Sequence, residues 1–150
     1  MKIVYENKSD LIKGVQLVQN IIGDKTILPI LANILIDTKE KGISVTATDL
    51  KISIETFIPL KIEEKGSITI PAKKFYDIIK ELPDKKTEIK TTENNKIKIT
   101  CGEILYNIMG LPKQEFPKFP EIKKGGTSFT IDSSTLKEFT KKTLFAVAEE

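Results

Sequence analysis

The chain has no histidine and one cysteine, Cys101. Without histidine, Ser-His-Asp and Cys-His nucleophilic catalysis are excluded, as is every His-ligated metal site. A lone cysteine forms no intramolecular disulfide and no Cys-cluster zinc site. Cys101 reads as a small apolar residue in a strand. The longest apolar stretch, Ile27 to Ile36, is interrupted by Pro29 and Asn33. It is far short of the roughly 20 residues that span a bilayer. The N-terminus, Met1-Lys2-Ile3-Val4-Tyr5-Glu6, lacks the apolar region of a signal peptide, so a cytoplasmic location is the default expectation. Neither sign of charge dominates: 24 lysines and arginines face 21 acidic residues, a net +3. Such a balance names no partner by itself, so the placement of the lysines carries the argument.

What is present is ample for a folded core. The 150 residues are 39% hydrophobic and 30% charged, which fits one domain, or one domain and part of another. Lys2 to Glu6 reads as a strand. A helix follows, capped by Ser9 or Asp10 and ended by Gly23-Asp24. Its buried stripe is Leu11, Val15, Val18 and Ile22, which puts Lys13, Gln16 and Asn20 on the opposite side. Three strands are predicted next: Ile30 to Thr38, Ile43 to Thr48 and Leu50 to Leu60. Their alternation argues for antiparallel pairing with one face buried, including Leu50, Ile52, Ile54 and Thr56 along the third. Ser67 to Ile70 is a fourth.

Pro71 can open a second helix, with Ala72, Phe75, Tyr76, Ile79 and Leu82 as its apolar face and Pro83 as its stop. Lys73 and Lys80 share its outer face. Strands at Thr87 to Thr92, Lys96 to Cys101 and Glu103 to Met109 complete an α+β unit of two helices packed on a curved antiparallel sheet. The segment Leu111 to Gly126, with three prolines and two terminal glycines, reads as an interdomain linker. After it, a strand at Ser128 to Ile131 and a helix capped by Ser133, Ser134 or Thr135 repeat the opening of the chain. The expected layout is a first domain over 1–120, a linker over 121–126 and the start of a second repeat domain over 127–150.

Several segments, in order, resemble the bacterial DNA sliding clamp, the beta subunit of DNA polymerase III. They are Leu28-Pro29-Ile30-Leu31-Ala32-Asn33-Ile34-Leu35, Thr46-Ala47-Thr48-Asp49-Leu50, Ile70-Pro71-Ala72-Lys73-Lys74-Phe75, Leu82-Pro83, Glu115-Phe116-Pro117, and Phe129-Thr130-Ile131 leading to Phe145-Ala146-Val147-Ala148. The resemblance implies a DNA-clamp fold. It also implies a head-to-tail homodimeric ring around duplex DNA, with three domains in each subunit and two helices per domain lining the pore. It implies a non-catalytic processivity role, a clamp loader and a DNA polymerase as partners, no membrane, and no cofactor or metal. DNA contact falls to Lys13, Gln16, Asn20, Lys25, Lys73, Lys80, Lys137 and Lys141. The first-domain side of the subunit contact falls to Lys74, Ile78, Leu82, Lys96, Tyr106 and Ile108. The family's peptide-binding groove lies between the second and third domains, so this chain is expected to lack it.

Other classes fit parts of the sequence. Lysines opposite an apolar stripe also describe an ordinary solvated helix face. Asp49 with Glu55, or Glu63 with Glu64, are carboxylate pairs an enzyme could use, although no Gly-rich phosphate loop or nucleophile constellation accompanies them. A protein-interaction module pairing through its edge strands is a further alternative.

Overall fold

A computed structural model describes residues 1–23, 28–118 and 129–147. The chain divides into two compact units, Met1–Pro120 and Glu121–Glu150. Each is described by itself.

The first unit is α+β, built on two antiparallel sheets. In chain order its elements are β1 (Lys2–Tyr5), α1 (Ser9–Gln19), β2 (Asn33–Lys39), β3 (Gly42–Thr48), β4 (Ser53–Pro59), β5 (Lys61–Glu64), β6 (Ser67–Pro71), α2 (Ala72–Glu81), β7 (Thr87–Thr91), β8 (Lys96–Cys101) and β9 (Ile104–Met109). One sheet has the order β5-β1-β7-β8-β9 and the other β4-β3-β2-β6. The α+β class and the two helices follow the expectation. The strands, however, divide between two sheets, because the predicted strand from Leu50 to Leu60 is really β4 followed by β5. The chain leaves one sheet at Pro59 and enters the other at Lys61.

The isoleucines explain the interior. Ile3, Ile34, Ile36, Ile43, Ile89, Ile97 and Ile99 alternate along their strands and are fully or almost fully buried. Leu11, Val15 and Val18 of α1, with Phe75 and Ile79 of α2, join the same cluster. Gly14 lets α1 settle against β4, since a Cβ there would collide with the Ile58 side chain. The central strand β3 is buried on both faces, so Ser44, Thr46 and Thr48 are buried polar residues. Thr46 gives its hydroxyl proton to Glu55 at 3.2 Å.

A polar stitch joins the sheets. Thr69 of β6 and Leu111, just past β9, exchange backbone hydrogen bonds at 3.0 and 3.2 Å. The buried Thr69 hydroxyl gives a further bond to Leu111 O at 2.9 Å and accepts one from Asn33 Nδ2 at 3.1 Å. Gly110 makes that approach possible, because a Cβ would strike the Thr69 carbonyl oxygen.

The turns use the expected chemistry with shifted residues. Asn94, Asn95 and Gly102 take positive φ between β7 and β9. The first helix ends at Gln19, short of Gly23. Neither Ser9 nor Asp10 caps it; Asn7 Oδ1 accepts the Ser9 N–H at 2.8 Å instead. Leu50 and Ile52, expected on a buried strand face, sit exposed on the β3–β4 turn. There Leu50 adopts φ 78° and Asp49 takes over the backbone donors of Lys51 and Ile52.

In the second unit, α3 (Ser133–Thr143) is the one regular element among the described residues. The strand expected at 128–131 is not formed at 129–131, and Ser128 lies outside the described residues. The predicted linker, 121–126, lies outside them as well. Leu136 and Phe139 of α3 are exposed.

Candidate nucleic-acid interface and subunit face

The packing of α1 and α2 decides which side chains reach solvent. With Leu11, Val15 and Val18 inward, Lys13, Gln16 and Asn20 are exposed and line one shallow groove with Leu17. With Ala72, Phe75 and Ile79 inward, Lys73 and Lys80 are exposed on α2. The two helices are tied end to end by a residue the sequence reading passed over. Lys8, just before α1, donates through Nζ to the carbonyls of Lys80, at 2.8 Å, and Leu82, at the C-terminal end of α2. A cation there satisfies carbonyls left open by the helix and opposes its dipole.

The distribution of ion pairs separates the sheets from the helices. Within the first unit, every described ion pair has its lysine on or beside a sheet: Lys2 with Glu63 at 2.9 Å and Glu88 at 3.0 Å, Lys90 with Glu64, Lys61 with Glu63, and Lys39 and Lys113 with Asp37. Hydrogen bonds from both carboxylates hold the Lys2 ammonium well above the ordinary lysine range, and Lys2 holds Glu63 below the ordinary carboxylate range. Among the described residues, Lys13, Lys73 and Lys80 make no ion pair, even though Asp10, Asp77 and Glu81 share their helices. On α3, Lys137 and Lys141 are exposed, while their neighbour Lys142 pairs with Glu138 at 2.7 Å. Lys25 lies outside the described residues.

The carboxylates that an enzymatic reading would use are occupied structurally. Asp49 Oδ1 accepts N–H bonds from Lys51 at 2.9 Å and Ile52 at 2.6 Å, which lower its pKa. Glu55 accepts from Thr46, and Glu63 and Glu64 are ion-paired. Among the described residues, no group of three His, Cys, Asp or Glu side chains is arranged to hold a metal. No described helix is long and apolar enough to cross a membrane.

The residues expected at a subunit contact fall into two sets. Lys74, Ile78 and Tyr106 line one shallow apolar groove between α2 and β9, together with Ala32, Pro71 and Lys73. Ile78 is half-buried, Tyr106 is exposed, and Lys96 stands exposed opposite Met109 on the neighbouring strand. Leu82 and Ile108 differ from the expectation of a contact surface. Each is 2% exposed, Leu82 because it closes the C-terminal end of α2 into the core and Ile108 because it faces inward opposite Ile97. Their side chains underlie the groove and do not present to a partner.

Comparison with known proteins places this architecture. The family described as DNA polymerase III beta subunit, N-terminal domain, matches residues 1–120. The beta sliding clamp of Chlamydia muridarum is 32% identical over 150 residues, covering all of this chain and 40% of the relative. That of Vibrio cholerae is 34% identical over 151 residues, covering all of this chain and 41% of the relative. The crystal structure of the Bacillus subtilis DNA polymerase sliding clamp superimposes with a TM-score of 0.91 at 34% identity, over 100% of this chain and 41% of that one. The DnaN sliding clamp of Bartonella birtlesii, solved bound to griselimycin, gives 0.92 at 30% identity, over 100% of this chain and 40% of that one. The chain thus belongs to the DNA polymerase III beta subunit family, the beta sliding clamps. It spans about 40% of the length of the curated relatives it matches.

Proposed function

We propose that this chain forms the N-terminal arc of a ring that encircles duplex DNA and tethers the replicative polymerase, without itself catalysing a reaction. The observation that carries the proposal is the segregation of its lysines. Those on the sheets are largely neutralised by carboxylates, while Lys13, Lys73 and Lys80 on the paired helices are left for an external anion. Gln16 and Asn20 extend the polar surface of α1 beside them. An ammonium on a flexible stem attracts phosphate without fixed directional geometry, and phosphate contacts carry no sequence information. Such a wall holds DNA with no energy wells along it, which is what sliding requires. Lys25, Lys137 and Lys141 are assigned to the same role.

Weak contact is part of the mechanism. If the first unit neutralises ~3 phosphates, log affinity falls with a slope near −2.7 against log salt, and open binding is lost at physiological salt. Persistence on DNA then comes from closure of the ring. The groove of Lys74, Ile78 and Tyr106, with Lys96 beside it, is assigned to the head-to-tail subunit contact of a homodimer. A clamp loader that opens the ring and a polymerase that rides on it are the partners this reading requires. The family's peptide-binding groove is not formed by this segment, and the cytoplasm is where such a complex would work.

The test exchanges Lys13, Lys73 and Lys80 together for Ala in residues 1–120 fused to the second and third domains of a sliding clamp. Affinity for a short duplex is measured by fluorescence anisotropy across a salt series. The salt slope should shrink by about 2.7, that is about 0.9 per lysine. An unchanged slope would show that these lysines touch no phosphate.

A further inference from the structure

The two sheets of the first unit present four lateral edges, and the chain treats them unequally. The edge at β5 is short and charged, Lys-Ile-Glu-Glu, the usual protection against unwanted pairing. The edge at β6 is bridged to Leu111. The remaining edges, β4 and β9, are unpaired on their outer sides among the described residues: β4 pairs only with β3, and β9 only with β8. Both carry exposed apolar side chains where protection would call for charge. Phe57 of β4 is 53% exposed, and Leu17 of α1 lies with it along one groove beside the strand. On β9, Tyr106 is 41% and Met109 59% exposed.

We propose that these two edges are complementary, so that β9 of one copy of this chain docks on β4 of a second copy in a head-to-tail contact that repeats from copy to copy. Charge favours this pairing over like-with-like. Asp10, Asp49 and Glu55 flank β4 against Lys13 and Lys51. Lys73, Lys74, Lys96 and Lys98 flank β9 against Asp77 and Glu103. Joining β9 to β9 would oppose two basic edges, whereas β9 to β4 sets a basic edge against an acidic one. The apolar centres then cover each other: Tyr106 and Met109 against Phe57 and Leu17. Two different surfaces make a heterologous contact, which leaves one edge of each kind free at the ends. Copies of this chain therefore build open rows or a closed ring, and not a two-fold dimer. The proposal rests on the reading of β9 as an interface and adds its counterpart, β4.

The test uses the full 150-residue chain in sedimentation velocity over a concentration series. Wild type should pass beyond dimers as concentration rises. Phe57→Glu and Tyr106→Glu, each folded by circular dichroism, should each weaken association at least tenfold. Leu17→Glu and Met109→Glu serve as the second pair should either variant fail to fold. An equimolar mixture of the two edge variants has one intact β9 and one intact β4, so it should form dimers and stop there. A wild-type chain that stays monomeric, a mixture that stays monomeric, or single variants that keep full association would each overturn the proposal. The pattern of failure is informative. If Tyr106→Glu blocks association and Phe57→Glu does not, β4 is not the counterpart while the β9 interface stands. If Phe57→Glu blocks it and Tyr106→Glu does not, the β9 reading itself fails.

Discussion

Replacing Tyr5 by Phe should stabilise the first unit, and most strongly at alkaline pH. The Tyr5 ring packs into the core, and its hydroxyl is sealed from solvent with no hydrogen-bond partner. Thr87, opposite it across the β1–β7 ladder, gives its own proton to Lys85 O at 3.0 Å and does not relieve it. A buried, unsatisfied hydroxyl costs about 1–3 kcal/mol, and Phe removes it while keeping the ring. The lower end, about 1 kcal/mol, corresponds to a rise in Tm of about 4 °C for a unit of this size. Burial also pushes the phenol up to about 12, against about 10 in an unfolded chain. The folded state holds this proton more tightly, so the associated stability is intact below about pH 10 and is lost as pH climbs through about 12. Lysines titrate in the same window in both proteins, so they cancel in the difference. Urea unfolding at about pH 7 and about pH 11.5 should show the Phe variant's advantage growing from about 1 to about 3 kcal/mol. A variant no more stable than wild type, with a gap that does not widen, would refute the reasoning.

Gly110→Ala places a methyl group against the Thr69 carbonyl oxygen at the stitch between the sheets, and should cost about 3 kcal/mol in chemical denaturation. Lys8→Met removes the tie across α1 and α2 and should cost about 1 kcal/mol, with Lys8→Arg restoring part of it. Asp49 is held below its ordinary pKa by backbone donors, so its support of the β3–β4 turn is present above the unfolded carboxylate value and is lost as pH falls through the lowered folded one. In an NMR titration the Lys51 and Ile52 amides should move together at a pH below the usual aspartate range, and Asp49→Ala should abolish that transition.

Much of the first unit was legible because its signals are local. The alternation around Ile34–Ile36, Ile43–Val45 and Ile97–Ile99 marks strands, and Leu11, Val15 and Val18 mark the face of α1. The same stripes put Lys13, Lys73 and Lys80 on the surface. What escaped depends on tertiary partners. Leu50 and Ile52 continue the alternation of β4 in the sequence, yet Asp49 and Thr48 bind the backbone of the turn and lift both out of the sheet. The division of Leu50 to Leu60 and the following residues into β4 and β5 turns on which sheet each segment joins, and Pro59 was the one hint of a break. Lys8 looked like any charged residue before a helix, since its acceptors lie more than 70 residues away. Leu82 and Ile108 were placed at a contact by resemblance, whereas their burial follows from the packing of α2 and β9 on this core.

The central claim is that this segment serves in holding DNA by encirclement. The direct measurement fuses residues 1–120 to the second and third domains of a sliding clamp, loads the labelled ring on circular duplex DNA at moderate salt, and then cuts the circle once. The account predicts stable retention before the cut and rapid loss afterwards, as rings run off the free ends. Retention on the linear form, equal to that on the circle, would contradict it.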